Sequence, residues 1–280
     1  MSAPGSICVC VPARNEAARI GTLLDALAAQ DSAGPLLVVV ALNNCTDASA
    51  QAVRAAQARH AARLSITLID ETFDDARPDA GRARALAMDA GLKRVGSAGV
   101  LLSTDADTRP PANWVSANLA AIGRGLDLAG GRLVLDEREP LPPYVAAARR
   151  SADAYWEAAR AAEDAVDPLP WDLPPRHGDH TGASLAVTVR CYARCGGVPE
   201  LASGEDVALV ARALALGARL GHPPDIWTRV SPRIAGRARG GMADAMRELA
   251  RGTPAALPPI SHWAERARLR REARAGSQAA

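Results

Sequence analysis

Short apolar runs alternate along the chain with longer stretches in which apolar residues return every three or four positions. Ile7–Val11 is a short apolar run and predicts a strand. Arg19–Gln30 carries Ile20, Leu23, Leu24 and Leu27 on one stripe and predicts an amphipathic helix. Leu36–Leu42 is continuously apolar, the pattern of a strand buried on both faces. The alternation continues with an Ala-rich helix at Ala48–Ala62, a strand at Leu64–Asp70, a helix at Gly81–Val95 and a strand at Gly99–Ser103. Repeated strand–helix units predict an α/β fold with a mostly parallel central sheet flanked by helices. In such sheets ligands gather beyond the carboxyl ends of the strands. Those ends are Pro12-Ala13-Arg14-Asn15-Glu16, Asn43-Asn44-Cys45-Thr46-Asp47 and Asp105-Ala106-Asp107, three polar clusters on one rim.

The second half is less regular. Leu126–Asp136 predicts a strand, and Tyr144–Val166 a long helix bearing Tyr155 and Trp156. A Pro-rich stretch, Asp167–Pro175, leads to the polar segment Arg176-His177-Gly178-Asp179-His180. Ala183–Thr188 predicts a strand followed by a short helix through Cys195. Glu205–Leu216 predicts a helix with Val207, Val210 and Leu214 facing inward. Ile226–Val230 predicts a strand leading into an Arg-rich loop, and Ser261–Ala275 a basic helix with little apolar surface. Without repeats or a low-complexity linker, the halves are expected to share one sheet and one core as a single domain over 1–280.

Composition narrows the function classes. Hydrophobic residues make up 48% of the 280, enough for a sizeable core. Lys+Arg 33 against Asp+Glu 31 leaves a net charge of +2, and aromatics are only 3%, so neither the electrostatics nor the stacking surface of a nucleic-acid binder is present. Cys8, Cys10, Cys45, Cys191 and Cys195 are an odd, scattered set and predict reduced thiols in a cytoplasmic protein. Their spacing is not that of a zinc ribbon, and buried free thiols are expected. No apolar run approaches the roughly 20 residues that span a bilayer. The N-terminal residues lack the basic region of a signal peptide.

The sharpest chemical feature is Asp105-Ala106-Asp107, where an apolar run ends in two carboxylates spaced i, i+2. At the end of an extended strand that spacing aims both side chains the same way. Two such anions repel unless a cation sits between them. A hard divalent ion, Mg²⁺ or Mn²⁺, suits two oxygen donors and commonly carries a substrate's phosphates. The competing reading is a solvated turn in which Asp caps a following helix.

Four segments in order resemble glycosyltransferase family 2, enzymes of the GT-A fold. Val11-Pro12-Ala13-Arg14-Asn15-Glu16 resembles that family's P-x-x-N-E opening, and Asn43-Asn44-Cys45-Thr46-Asp47 sits where it has an acidic turn. Asp105-Ala106-Asp107 matches its metal-binding doublet, and Gly204-Glu205-Asp206 the acidic pair opening its acceptor-side helix. The resemblance covers about residues 6–240 and implies a nucleotide-sugar half at 6–110, an acceptor half at 111–240 and a helical tail at 241–280. It implies transfer of a sugar from a nucleotide-diphosphate sugar, with UDP-sugar the expected donor, to an acceptor hydroxyl, metal-dependent and inverting.

The residue roles follow from the resemblance. Pro12, Ala13, Arg14, Asn15 and Glu16 would wrap base and ribose, or Asn15 and Glu16 would simply cap the helix. Asn43, Asn44 and Asp47 would flank the base, or form an Asx-turn. Leu42 and Asn43 stand at the family's acidic positions, which leaves base identity open. Arg82 and Arg84 would lie near base or diphosphate, or on a solvated helix face. Asp107 would ligate Mn²⁺ or Mg²⁺, with Asp105 on the ribose or a metal-bound water and Ala106 between them. His222 and His262 are candidates for a further ligand. Asp206, in preference to Glu205, would be the base, unless Ser203 and Asp206 form a capping box that leaves Glu205 free. Gly182, Ala183 and Ser184 would let the backbone approach a sugar acceptor. Arg233 and Arg237 would hold the diphosphate, or sit on an exposed basic loop. Tyr155, Trp156 and Trp171 could stack on a sugar or lipid acceptor or serve the core, and the tail could touch a membrane surface or solvent. A nucleotidyltransferase would need a Gly-rich loop after the first strand, which is missing. A nucleotide-sugar-binding protein without turnover would not need all four carboxylates.

Overall fold

The computed structural model describes residues 6–73, 80–233, 244, 247–248, 251 and 257–278. Its first half runs β1 (Ile7–Ala13), α1 (Ile20–Ala28), β2 (Leu36–Asn43), α2 (Ser49–Arg59), β3 (Leu64–Glu71), α3 (Ala80–Val95), β4 (Val100–Ser103) and β5 (Thr108–Arg109). Then follow α4 (Trp114–Gly123), β6 (Leu128–Gly130), β7 (Arg132–Leu135), α5 (Pro143–Val166), β8 (Leu185–Thr188) and α6 (Val189–Arg194). The chain continues through α7 (Glu205–Ala215), β9 (Leu220–Gly221), β10 (Trp227–Val230) and α8 (Ile260–Gln278).

Seven strands form one sheet in the order β3-β2-β1-β4-β8-β6-β9. β8 runs antiparallel to both its neighbours, and the other pairs are parallel. The two-residue period of the strands divides the core. On β1, Val9 and Val11 pack with Ile20, Leu23, Leu24 and Leu27 of α1, while Cys8 and Cys10 face Ala87 and Met88 of α3. On β2, Val38, Val40 and Leu42 share the first side, and Val39 and Ala41 the second. Both faces are therefore covered, which is why these strands read as continuous apolar runs. α3 lies so close to β1 that a Cβ on Gly91 would come within 2.6 Å of Cys10 Sγ. All five cysteines are free thiols; four are buried as expected, and Cys45 is half-buried.

Two expectations need correction, and one helix was not foreseen. Leu126–Asp136 is two strands in two sheets: β6 joins the large sheet, while β7 joins a small one of order β5-β10-β7. The break falls at Gly130 and Gly131, where added Cβ atoms would collide with Asp179 O and Ser184 Oγ respectively. The stripe on α7 is also rotated. Val210 is buried, but Val207 and Leu214 are 52% and 48% exposed. Glu205, Leu209 and Ala213, spaced one turn apart, face inward instead, because Glu205 is held beneath the sheet rim by a buried arginine. Finally, α4 has no counterpart among the predicted elements. It is buried through Trp114, Val115, Ala117, Asn118 and Ala121.

α8 packs along α5. Trp263 Nε1 donates to Tyr155 Oη (2.8 Å), Tyr155 Oη donates to Pro258 O (2.5 Å), and the Trp156 and Trp263 rings meet edge-on at 5.2 Å. Arg270 and Arg274 both bind the buried Asp167 carboxylate. Tyr155, Trp156 and part of the basic tail are thus engaged in joining two helices. No helix among the described residues is long and apolar enough to cross a membrane.

Candidate active site

The rim after β1 and β2 is two interlocked loops. Asn15 and Asn44 both adopt left-handed backbone, with φ of 53° and 48°, a conformation asparagine tolerates better than most residues. Asn15 Oδ1 accepts the Thr46 N–H (2.8 Å), and the Glu16 N–H donates to Ser49 Oγ (2.8 Å). Asp47 accepts the Ala17 N–H through Oδ2 (3.0 Å), and the Ser49 N–H and O–H through Oδ1 (2.9 and 2.5 Å). The Asx-turn reading of Asp47 is the geometry found. Asn44 grips the backbone of Phe73 with both ends of its amide, at 3.1 and 3.4 Å, and the Arg82 guanidinium lies 4.2 Å from the Phe73 ring centroid. Pro12 and Arg14 are half-buried beside these loops, and Ala13 and Asn43 are buried.

The acidic doublet is locked from below. Thr104 Oγ1 donates to Ala183 O (2.9 Å) and pairs with Thr108 Oγ1 (2.7 Å), while Thr108 N–H bonds Asp105 O (3.2 Å). Ala106 is buried.

Arg84 is the hub of this floor, not part of a solvated helix face. Its Nε donates to Glu205 Oε1 (2.8 Å), Nη2 to Asp105 Oδ1 (2.9 Å), and Nη1 to Ser103 Oγ (2.6 Å) and Gly182 O (3.0 Å). Burial opposes its charge, but Asp105 and Glu205 overcome that and hold the guanidinium above its ordinary pKa. Gly182 has no room for a side chain, since a Cβ would strike this guanidinium. Ser184 is buried, accepting the Trp114 Nε1–H (2.9 Å).

Glu205 and Asp206 part company here. Glu205 is 4% exposed and committed to Arg84, so it is not the free member of the pair. The capping box is not formed: Gly204 is the N-cap, with φ 73° and no side-chain cap bond. Asp206 is half-buried and accepts the Gly182 N–H through Oδ2 (2.5 Å).

A second arginine serves the other half of the doublet. Arg233 donates to Glu16 through both Nη atoms (2.6 and 3.0 Å), and its Nη2 also lies 3.0 Å from Asp107 Oδ2. Burial pushes the Asp107 carboxyl up to about 6, with Asp105 and Glu16 adding to the shift and Arg233 opposing it. Arg237 lies outside the described residues.

The donor set suits a hard divalent ion. Two carboxylates, each engaged by one guanidinium, sit in a locality with more negative than positive charge, and Mg²⁺ or Mn²⁺ completes such a shell with water and phosphate oxygens. Among the described residues no three His, Cys, Asp or Glu side chains are arranged to hold an ion by themselves. His222 is engaged elsewhere, its Nδ1 2.8 Å from Asp172 Oδ2, and His262 meets Trp263 edge-on at 5.2 Å.

Composition and spacing gave no sign of one buried polar chain. His222 Nε2 lies 3.2 Å from His180 Nδ1, so Asp172, His222 and His180 form a line that ends two residues before Gly182. His177 packs edge-on to His222, and burial with that neighbour lowers its pKa to about 4. These residues come from distant segments: the sequence marked 176–180 only as a polar run and His222 only as a candidate metal ligand, and nothing in it joined them.

A mostly parallel sheet with an acidic doublet on its rim and a second acidic pair opening a helix beside it is the architecture of a GT-A glycosyltransferase. The model of the family described as glycosyl transferase family 2 matches residues 8–157. The chain belongs to glycosyltransferase family 2. It is similar to a mannosyltransferase of Pyrobaculum calidifontis solved with GDP-Man and Mn²⁺, at TM-score 0.56 and 20% identity, over 94% of this chain and 68% of that one. It is also similar to TarS of S. aureus, at TM-score 0.52 and 17% identity, over 89% of this chain but only 42% of that one. A TarS 1–349 structure in complex with UDP matches at TM-score 0.52 and 16% identity, over 89% of this chain and 70% of that one. At these identities the likeness is one of fold. No curated protein matches the sequence.

Proposed function

We propose that the chain transfers a hexosyl group from a UDP-sugar to an acceptor hydroxyl, with inversion, and that Asp206 is the base. In this reading residues 6–110 hold the donor and residues 111–240 shape the acceptor cleft. The observation that carries it is the joining of the two acidic pairs through shared partners. Arg84 binds Asp105 and Glu205, and Gly182 bonds Arg84 through its carbonyl and Asp206 through its N–H.

Asp206 would take the acceptor proton as the hydroxyl oxygen attacks the anomeric carbon and the bond to the diphosphate breaks. Glu205 is unsuited to that step because it is buried under the rim and bonded to Arg84. Asp107 and Asp105 would hold the divalent ion, which when bound supplies Lewis-acid neutralisation of the departing diphosphate. Asn15, Glu16, Asn43 and Asn44 would line the nucleotide side. Asp47 would support those loops without touching the base, since both its oxygens bond backbone or Ser49. Gly182 would carry the acceptor edge, with Ala183 and Ser184 buried behind it.

The test is a panel of UDP- and GDP-sugars with Mn²⁺, read by thermal shift and by nucleoside diphosphate release. A UDP-sugar that raises the melting temperature and is cleaved supports the reading. Absence of both responses across the panel overturns it, and a response to GDP-sugars alone replaces the donor.

A further inference from the structure

The two arginines that grip the doublet differ in one respect that bears on metal entry. Arg84 is tied to four separate partners and is buried. Arg233 binds two carboxylates, lies three residues beyond the end of β10, and borders a cavity of about 300 Å³ walled in part by Arg138, Pro140, Leu141 and Pro232. Its Nη2 is shared between Glu16 Oε1 and Asp107 Oδ2. Glu16 and Asp107 are both largely buried, with side-chain exposures of 6% and 15%, so their charges need a cation between them.

We propose that Arg233 is a tethered cation that competes with a divalent metal for Asp107. The inference rests on the metal reading of Asp107 above and adds a cost to filling that seat. An ion ligated by Asp107 Oδ2 must displace or repel a guanidinium lying 3.0 Å from the same oxygen. Metal alone therefore binds weakly. A nucleoside diphosphate offers the guanidinium a second bidentate anion, and the cavity beside it gives the side chain room to move off Asp107. Asp107 is then released to the ion, and donor and metal enter together.

The experiment uses Mn²⁺ alone, with the free ion followed by electron paramagnetic resonance, on the nucleotide-free wild type and on R233Q, R233K and R233A. R233Q and R233A are expected to bind Mn²⁺ at least about tenfold more tightly than the wild type, because a positive neighbour has been removed. R233K keeps the charge and should stay within about threefold of the wild type. R233A carries the test if R233Q does not fold, and a cooperative melt establishes folding for each. Equal or weaker Mn²⁺ binding in the folded neutral variants overturns the proposal, as does R233K matching R233Q. No sugar nucleotide enters this measurement. A chain that cleaves a donor yet shows no gain in R233Q loses this inference alone, whereas one that shows the gain but cleaves no donor loses only the transferase reading.

Discussion

Asp105 and Asp107 stand two residues apart and each meets an arginine, yet the two ion pairs belong to different parts of the molecule. Arg84 comes from the middle of a packed helix, is buried, and ties Asp105 to Glu205, Ser103 and Gly182. Arg233 comes from the loop three residues after a short strand of the small sheet, stays 19% exposed at its side chain, and its guanidinium holds only carboxylates. The same pairing chemistry thus does two jobs. One builds the floor under the site, and the other balances charge at its open edge. The difference lies in how many partners would be stranded if the arginine left.

That contrast is breakable. Arg84→Ala should cost about 3–5 kcal/mol of folding stability, since it leaves Glu205 charged, buried and alone. Arg233→Ala should cost about 1–2 kcal/mol. Urea denaturation of both variants measures the gap, and equal losses would erase the distinction between floor and edge.

The acidic pair of α7 sharpens it. Asp206→Asn keeps an oxygen for the Gly182 N–H but cannot take a proton, so transfer should fall by about 10²–10⁴ with little change in melting temperature. Glu205→Gln should do the reverse first, lowering stability by about 3 kcal/mol through loss of the Arg84 pair. If Glu205→Gln melts like the wild type and abolishes transfer, the roles are exchanged.

The histidine chain beside Gly182 predicts a pH response opposite in sign to that of Asp107 in the Arg233 clamp. His177 is held near 4 against a usual 6.5, chiefly by burial and then by His222, and His180 is lowered by the same two causes. The unfolded chain therefore binds more protons than the folded one between pH 6.5 and about 4, and stability falls as pH drops through that window and levels off below it. Asp107, raised to about 6 by burial, acts with the opposite sign in this window, so the histidine part is read as a difference: the wild type should lose more melting temperature from pH 7 to 4 than His177→Gln does. The smallest effects are expected on the exposed face of α7. Val207→Ser and Leu214→Ser should stay within about 0.5 kcal/mol of the wild type, while Val210→Ala should cost about 2 kcal/mol by calorimetric melting.

Much of the fold was legible because the strands near the sheet centre are buried on both faces and print continuous apolar runs, as in Leu36–Leu42. α4 was not, since a helix buried on several sides has little periodicity to read. The split of Leu126–Asp136 was hidden because either side of the break is apolar, and only Gly130-Gly131 marked it. At the site the four acidic and amide motifs were readable as local strings. Their division of labour was not, because it depends on partners far away in sequence. Arg84 reaches Glu205 across 121 residues, and Arg233 reaches Glu16 across 217. The choice between Glu205 and Asp206 turns on the first of those contacts, and nothing in Ser203-Gly204-Glu205-Asp206 announces it.

The most direct measurement on the site is calorimetric titration of UDP and GDP, with and without Mn²⁺, into the wild type and Asp107→Asn. One of the nucleotides should bind the wild type with Mn²⁺ present, and the carboxamide variant should lose at least about tenfold in that affinity. Binding that is indifferent to both Mn²⁺ and the Asp107 carboxylate would contradict a cation-held diphosphate at this rim.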